Sequence, residues 1–262
     1  MHPSLRQPSD SIPEIWSPVV ELRQYTLHPG QRDVLIDLFD REFVESQEAL
    51  DMRVIGQFRD IDDPDRFVWL RGFRDMATRG ASLKAFYEGP IWQEHRGVAN
   101  PTMIDSDNVL LLRPARLTSG FSPVSSSRPP RGTTGSQSGV VIAGIYSLDA
   151  SAQKFVDYFE SALAPALTSA GGVLLAYLTT ETSANSYPRL PIREGENIFA
   201  WFAGFADNRS DGSVIADLTD FGKAVDAPGL IQPPQVIRLA PTARSLVTGS
   251  SSACSALSPA ES

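Results

Sequence analysis

In the stretch Pro18–Leu27, PVVELRQYTL, the residues Glu21, Arg23 and Tyr25 stand at alternate positions. In a β-strand that spacing puts all three side chains on one face, because successive residues point to opposite sides. The stretch Arg66–Phe73, RFVWLRGF, repeats the device with Phe67, Trp69, Arg71 and Phe73. If these strands are neighbours with the two sets on a shared face, Glu21, Arg23 and Arg71 lie among aromatic rings. Two guanidinium groups beside one carboxylate can bind an anionic group, since the guanidinium fork matches carboxylate geometry. The alternative is a structural salt bridge, because ion-pair networks are common away from functional sites.

Proton chemistry would fall to Tyr25 or to His95, the two candidate catalytic residues. His95 follows Trp92 by three residues in GPIWQEHRGVAN, so the two share a helix face. A histidine near aromatics can act as a general base, or it can be a surface or capping group. Tyr87 and Trp92 could line a pocket between helices and sheet, apolar with a few polar groups, or serve ordinary helix-to-sheet packing. Glu21, Arg23, Trp69, Arg71, Tyr87 and Trp92 are therefore the candidate substrate-binding residues. No cluster of His, Cys or carboxylates has metal-ligand spacing, so no metal is expected. No glycine-rich phosphate loop, nucleophile elbow or Cys–His pair occurs, and no cofactor is expected. A heme would need an axial histidine, for which His95 is the candidate.

The elements that must position these residues read as β-α-β-β-α-β over the first half. Strands are expected at Pro18–Leu27, Met52–Phe58, Arg66–Phe73 and Val109–Pro114, from β-branched and aromatic content bounded by turn residues. Helices are expected over Gln31–Ala49, with Val34, Leu35, Leu38, Phe39 and Phe43 as the apolar face, and over 76–88. Pro90 opens a further short helix. The second half repeats the order. VVIAGIYSL at 140–148 matches VVELRQYTL at 19–27, and IFAWFAGF at 198–205 matches RFVWLRGF at 66–73. The ordered matches predict an internal duplication. They also predict that the aromatics of the doubled strand pack both sheet faces. A four-stranded sheet with helices on one side must bury its other side, and two copies in one chain can bury theirs together.

The first half, through VELRQYTLHPGQ, DPDRFVWLRGF, LKAFYEGPIW and DSDNVLLLRP, resembles NIPSNAP proteins. These belong to the dimeric α/β-barrel superfamily, with antibiotic-biosynthesis monooxygenases and heme- or chlorite-handling relatives. The resemblance covers most of residues 18–116. It implies an α+β fold of two tandem ferredoxin-like βαββαβ modules that form an intramolecular, dimeric α/β-barrel-like pseudo-dimer. The expected organisation is a disordered tail over 1–17, a first module over 18–117, a Ser/Pro/Gly-rich linker over 118–138, a divergent module over 139–242 and a disordered tail over 243–262. Two functions stay open. One is a cofactor-independent oxygenase- or isomerase-like enzyme on a small apolar or aromatic molecule. The other is a non-catalytic small-molecule-binding or scaffold protein. The second half has Ile142, Gly144 and Ala203 where the first has Glu21, Arg23 and Arg71, so any site is expected in the first half and the second is expected to be a structural partner.

Composition limits the partners. The net charge is -8, and there is no basic run, so neither nucleic acid nor an anionic membrane surface is an expected partner. The N-terminus lacks a signal-peptide shape and no apolar stretch is long enough for a membrane span, so the expected location is the cytoplasm. Cys254 is the one cysteine in the sequence, which excludes an intrachain disulfide. Oligomeric state beyond the pseudo-dimer is left open. As Trp69 lies in the doubled strand, Trp69→Ala should destabilise the protein by about 3–5 kcal/mol, the range for truncating a buried aromatic. Urea melts read this directly, and a change below about 1 kcal/mol would place Trp69 at the surface or in a collapsible pocket.

Overall fold

A computed structural model describes residues 16–123, 127–149, 152–206 and 227–254. The first half runs β1 (Val19–Leu27), α1 (Arg32–Leu38), a π-helical turn (Phe39–Phe43), α2 (Val44–Glu48), β2 (Arg53–Asp60), β3 (Arg66–Phe73), α3 (Met76–Glu88), α4 (Pro90–Ala99), the short β4 (Met103–Asp105) and β5 (Val109–Pro114). The second half runs β6 (Val140–Leu148), α5 (Ala152–Tyr158), a second π-helical turn (Phe159–Leu163), α6 (Ala164–Ser169), β7 (Val173–Thr180), β8 (Asn197–Phe205) and β9 (Gln235–Pro241). The repeated order calls for a helix between β8 and β9, where residues 207–226 lie outside the described ones. None of the described helices is long and apolar enough to cross a membrane.

The strands make one sheet in the order β3-β2-β9-β6-β8-β7-β5-β1-β4, and β1 also pairs with β3. Eight strands therefore close into a barrel, with β4 continuing along the end of β1. Closure is reciprocal: β2 of the first half pairs with β9 of the second, and β7 of the second pairs with β5 of the first. Among the described residues no long edge strand is left to pair with another chain.

Alternation along each strand sorts the residues into layers. Val20 and Leu22 of β1, Val68 and Leu70 of β3, and Val141, Ala143 and Phe202 of the second half fill the barrel interior. The opposite face of the first half carries Val19, Tyr25, Phe67, Trp69 and Phe73 against Leu35, Phe39, Phe43, Leu83 and Phe86 of its helices. The second half builds a matching outer layer from Tyr146, Phe155, Phe159, Phe199, Trp201 and Phe205. Both faces of β1 are thus covered, which is why most of its residues are buried. The expectation that the repeated strand's aromatics pack both faces holds in the second half, where Phe202 enters the interior and Phe199, Trp201 and Phe205 face outward, but needs correction in the first. There Phe67, Trp69 and Phe73 have the same parity and all face the helices, leaving aliphatic Val68 and Leu70 to the interior.

The pairing registers of the halves run in parallel. Val19 faces Phe73 and Arg23 faces Trp69, while Val140 faces Phe205 and Gly144 faces Trp201. Each second strand slips register at the same point, at Val54/Gly56 and at Leu174/Ala176. A Cβ at Gly144 would stand 2.4 Å from the ring of Trp201, so that indole lies flat where the first half has the Arg23 side chain.

Three further expectations change. The helix over Gln31–Ala49 is broken by the π-helical turn, and Val34 points to solvent, with Ile36 buried instead. Residues 243–254 are packed rather than loose: Ala243, Arg244, Val247 and Cys254 are buried, and the Val247 amide donates to the Ile55 carbonyl. The linker is also tied down in part, with Phe121 buried against Phe202 and Arg128 donating to Glu48 and to the Val54 carbonyl. Scattered large side chains in Ser-rich stretches anchor these segments, which average composition conceals.

Candidate functional site

The register places Glu21 opposite Arg71 and Arg23 opposite Trp69, so the two alternating sets do share the helix-facing side of the sheet. Glu21 is the hub. Its Oε2 accepts from Arg23 Nη1 at 2.8 Å and from Arg71 Nε at 2.7 Å. Its Oε1 accepts from Arg79 Nε at 2.7 Å. All four side chains have 0% exposure. Each arginine has a further tie. Arg23 Nε donates to the Tyr25 hydroxyl, Arg71 Nη1 to Gln47 Oε1, and Arg79 Nη1 to Asn185 Oδ1 and Ser186 Oγ. Gln47 is held in turn by donating from its Nε2 to the Phe43 carbonyl at the end of the π-helical turn. The guanidinium groups also lie against rings, with Arg71 5.0 Å and Arg23 5.5 Å from the Trp69 ring centroid.

The charges are strongly coupled. Burial by itself would push the Glu21 carboxyl up, but Arg71, Arg23 and Arg79 together outweigh it and hold the group far below the usual carboxylate range. Burial pushes the Tyr25 hydroxyl up, against the opposing pull of Arg23, so the phenol stays protonated. Burial lowers Arg79, with Glu21 opposing; an arginine nonetheless remains charged. Among the described residues Glu21 is the one carboxylate in ion-pair contact with the three arginines. The cluster therefore carries two uncompensated positive charges. Three of its donors, Arg71 Nη2, Arg79 Nη2 and Trp69 Nε1, are buried with no hydrogen-bond partner among the described residues.

Beside the cluster, between sheet and helices, lies a cavity of about 30 Å³ walled mainly by Tyr25, Phe39, Phe43, Trp69, Phe86 and Trp92, with Gln47 and Tyr87 also lining it. The rings meet edge to face, with Phe39 and Trp69 4.7 Å apart and Tyr25 and Trp69 5.9 Å apart. A loop of the second half, between β7 and β8, straps over this region. Its Tyr187 stacks on Tyr87 with ring centroids 6.1 Å apart, and its Leu190 and Ile192 pack on the same apolar layer.

The structure thus brings together Glu21, Arg23, Tyr25, Trp69 and Arg71, with Tyr87 and Trp92 on the adjoining wall. His95 is elsewhere on α4. It is partly exposed, 3.8 Å from Glu42 Oε2, with its ring at the edge of Phe43 and outside the cavity lining. A heme ligated by His95 would not share this cavity. Among the described residues no three His, Cys, Asp or Glu side chains are grouped to hold a metal.

Sequence reasoning missed Arg79, Gln47, Asn185, Ser186 and Tyr187. Arg79 had a signal: it lies four and seven residues before Leu83 and Phe86, on the buried side of α3. The loop residues had none, since a contact 106 residues away leaves no local pattern. The second half thus reaches the cluster, with Asn185 and Ser186 accepting from Arg79.

Among known families, the NIPSNAP profile matches residues 20–118. A proposed monooxygenase from Fusobacterium nucleatum superposes with a TM-score of 0.50 at 7% identity, covering 86% of this chain and 92% of that one. At that identity the likeness speaks to the fold alone. A proposed monooxygenase from Lactobacillus acidophilus has a TM-score of 0.49 at 13% identity, covering 87% of this chain and 97% of its own. A NIPSNAP-like domain protein from Burkholderia xenovorans is 27% identical with a TM-score of 0.33, covering 42% of this chain and 89% of its own. None of the curated proteins compared with the chain matches it.

The hub has a measurable signature. Glu21→Gln should cost about 3–5 kcal/mol, the loss expected when one partner of a buried ion pair is removed. The folded-state pKa of Glu21 is depressed, so its contribution is complete above the unfolded value of about 4.3 and declines as pH falls below it. Urea melts from neutral to acid pH should therefore show the gap between wild type and Glu21→Gln narrowing below that value. A gap that widened there would contradict the assignment.

Proposed function

We propose that the first half, matched by the NIPSNAP profile, is a small-molecule-binding module whose ligand, an apolar or aromatic compound, occupies the cavity between β1, β3 and the helices. The observation that carries this reading is the aromatic cavity set directly against a buried cluster of polar donors, the usual make-up of a ligand site. At about 30 Å³ the closed cavity has room for little more than one water. Binding therefore requires the partly exposed Tyr87 and Trp92 to move outward.

The same proposal treats the two halves as tandem ferredoxin-like modules that form an intramolecular pseudo-dimer. Matched registers, matched slips in the second strands and matched π-helical turns support it. On this reading the first module kept its charges and the second replaced them with Ile142, Gly144 and Ala203, a change that relieves the cost of burying charge.

A second reading, a cofactor-independent oxygenase- or isomerase-like enzyme, is favoured by one observation. Tyr25 lines the cavity, and its hydroxyl accepts from Arg23, leaving its own proton to donate toward a ligand. It would serve as a general acid or as an orienting donor. His95 would act only if α4 shifted toward the cavity.

Titration with phenol, followed by the indole N–H resonances of Trp69 and Trp92, tests the binding reading. Saturable shifts are expected in the wild type. Ala99→Leu, which fills the cavity from α4, should abolish them while the fold survives at a cost of about 1–3 kcal/mol for overpacking. Absence of saturable shifts in the wild type, or their persistence in folded Ala99→Leu, would reject the reading.

A further inference from the structure

We infer that the ligand of this site carries a carboxylate, and that the group is anchored by Arg71 Nη2, Arg79 Nη2 and Trp69 Nε1. The inference rests on the cavity reading above and narrows its ligand to aromatic or apolar monocarboxylates.

Three observations combine. First, the cluster holds three guanidinium groups against one carboxylate, all at 0% exposure. Arginine keeps its charge in proteins, so proton loss does not relieve the excess. Tyr25, the other ionisable group in contact, is pushed toward its neutral form by burial and supplies no negative charge. A second anion is the missing counter-charge, since a buried charge costs several kcal/mol unless it is paired.

Second, the donors without partners are the right kind. Buried donors are nearly always hydrogen-bonded, and an orphan points to an absent group. Three belong to this one cluster, two of them cationic, through the shared Glu21 carboxylate and the Arg71–Trp69 contact. Arg71 and Arg79 are both fixed on Glu21 through Nε, so each offers its outer nitrogen from a rigid mount. Trp69 shares a strand face with Arg71, and its ring lies 5.0 Å from that guanidinium carbon. Two guanidinium nitrogens and an indole N–H can share the two oxygens of one carboxylate.

Third, the aromatic cavity meets the cluster through Trp69, Tyr25 and Gln47, which line it and also contact the arginines, while the arginines themselves lie behind that wall. A carboxylate on the arginines would leave its organic body among those rings. The strap from the second half closes over the same place, since Asn185 and Ser186 accept from Arg79 and Tyr187 covers Tyr87.

The test is calorimetric titration of the full chain at constant ionic strength with sodium benzoate, benzamide and sodium chloride. Benzamide keeps the ring and shape of benzoate but lacks the charge. Benzoate should bind at least tenfold more tightly than benzamide. Trp69→Phe, which removes the indole N–H while keeping an aromatic ring, and Arg79→Lys should each weaken benzoate by roughly tenfold, about the worth of one hydrogen bond to a charged group. Both variants should weaken benzamide by a clearly smaller factor than benzoate. Equal affinity for benzoate and benzamide would reject the carboxylate anchor and leave the cavity reading standing. Chloride displacing benzoate at similar concentration would also overturn it, by showing a general anion site. Phenol, benzoate and benzamide all failing to bind would reject both readings.

Discussion

The carboxylate of Glu21, shared among three buried arginines, is the interaction on which the geometry of the first half's candidate site depends. It ties β1 to β3 through Arg71 and to α3 through Arg79, and it orients Arg23 toward Tyr25. Arg71 carries the link on to Gln47 and so to the π-helical turn. One acidic residue thus fixes the sheet and two helical segments that enclose the aromatic cavity. Such an arrangement is costly, because charges taken from water must be repaid by their contacts. The second half shows that the same sheet register can be built without it. There Ile142 faces Ala203, and Trp201 lies over Gly144 and donates to Tyr146.

The barrel explains how one half can hold a buried, charged cluster while the other supports it. Its interior is aliphatic and closed by strands exchanged between the halves, so the fold is secured by burial away from the arginines. The outer layer of the first half is then available for specialised chemistry. The second half contributes more than closure, since its β7–β8 loop caps Arg79 and covers Tyr87.

The parts of this architecture that were legible in the sequence have short-range signals. Alternation in ELRQY and FVWLRGF placed Glu21, Arg23, Tyr25, Trp69 and Arg71 on faces that the observed register brings together. The composition of the strands located nearly all of them; the three-residue β4 is too short to carry a pattern. The π-helical turn was invisible because Phe39 and Phe43 are four residues apart, a spacing that an α-helix also satisfies. Arg79 shares the buried face of α3 with Leu83 and Phe86, but the carboxylate that pairs with it sits on β1, 58 residues away, beyond any local pattern. The strap and the packed segment 243–254 depend wholly on tertiary contacts. The same is true of the strand exchange that closes the barrel, where propensity is silent on which edges meet.

The central claim is that the charged hub is retained for a ligand and is not what holds the fold. The most direct measurement is the urea unfolding free energy, without ligand, of the combined variant Glu21→Ile/Arg23→Gly/Arg71→Met/Arg79→Met, beside Glu21→Ile alone. Removing only the carboxylate strands three buried cations, so the single variant should be markedly less stable than wild type. Replacing the whole cluster with apolar residues, those of the second half at positions 21 and 23, should restore stability to the wild-type level or above it, as replacing buried ion pairs by apolar side chains often does. A combined variant less stable than Glu21→Ile alone would show that the arginines hold the fold, and would contradict the account.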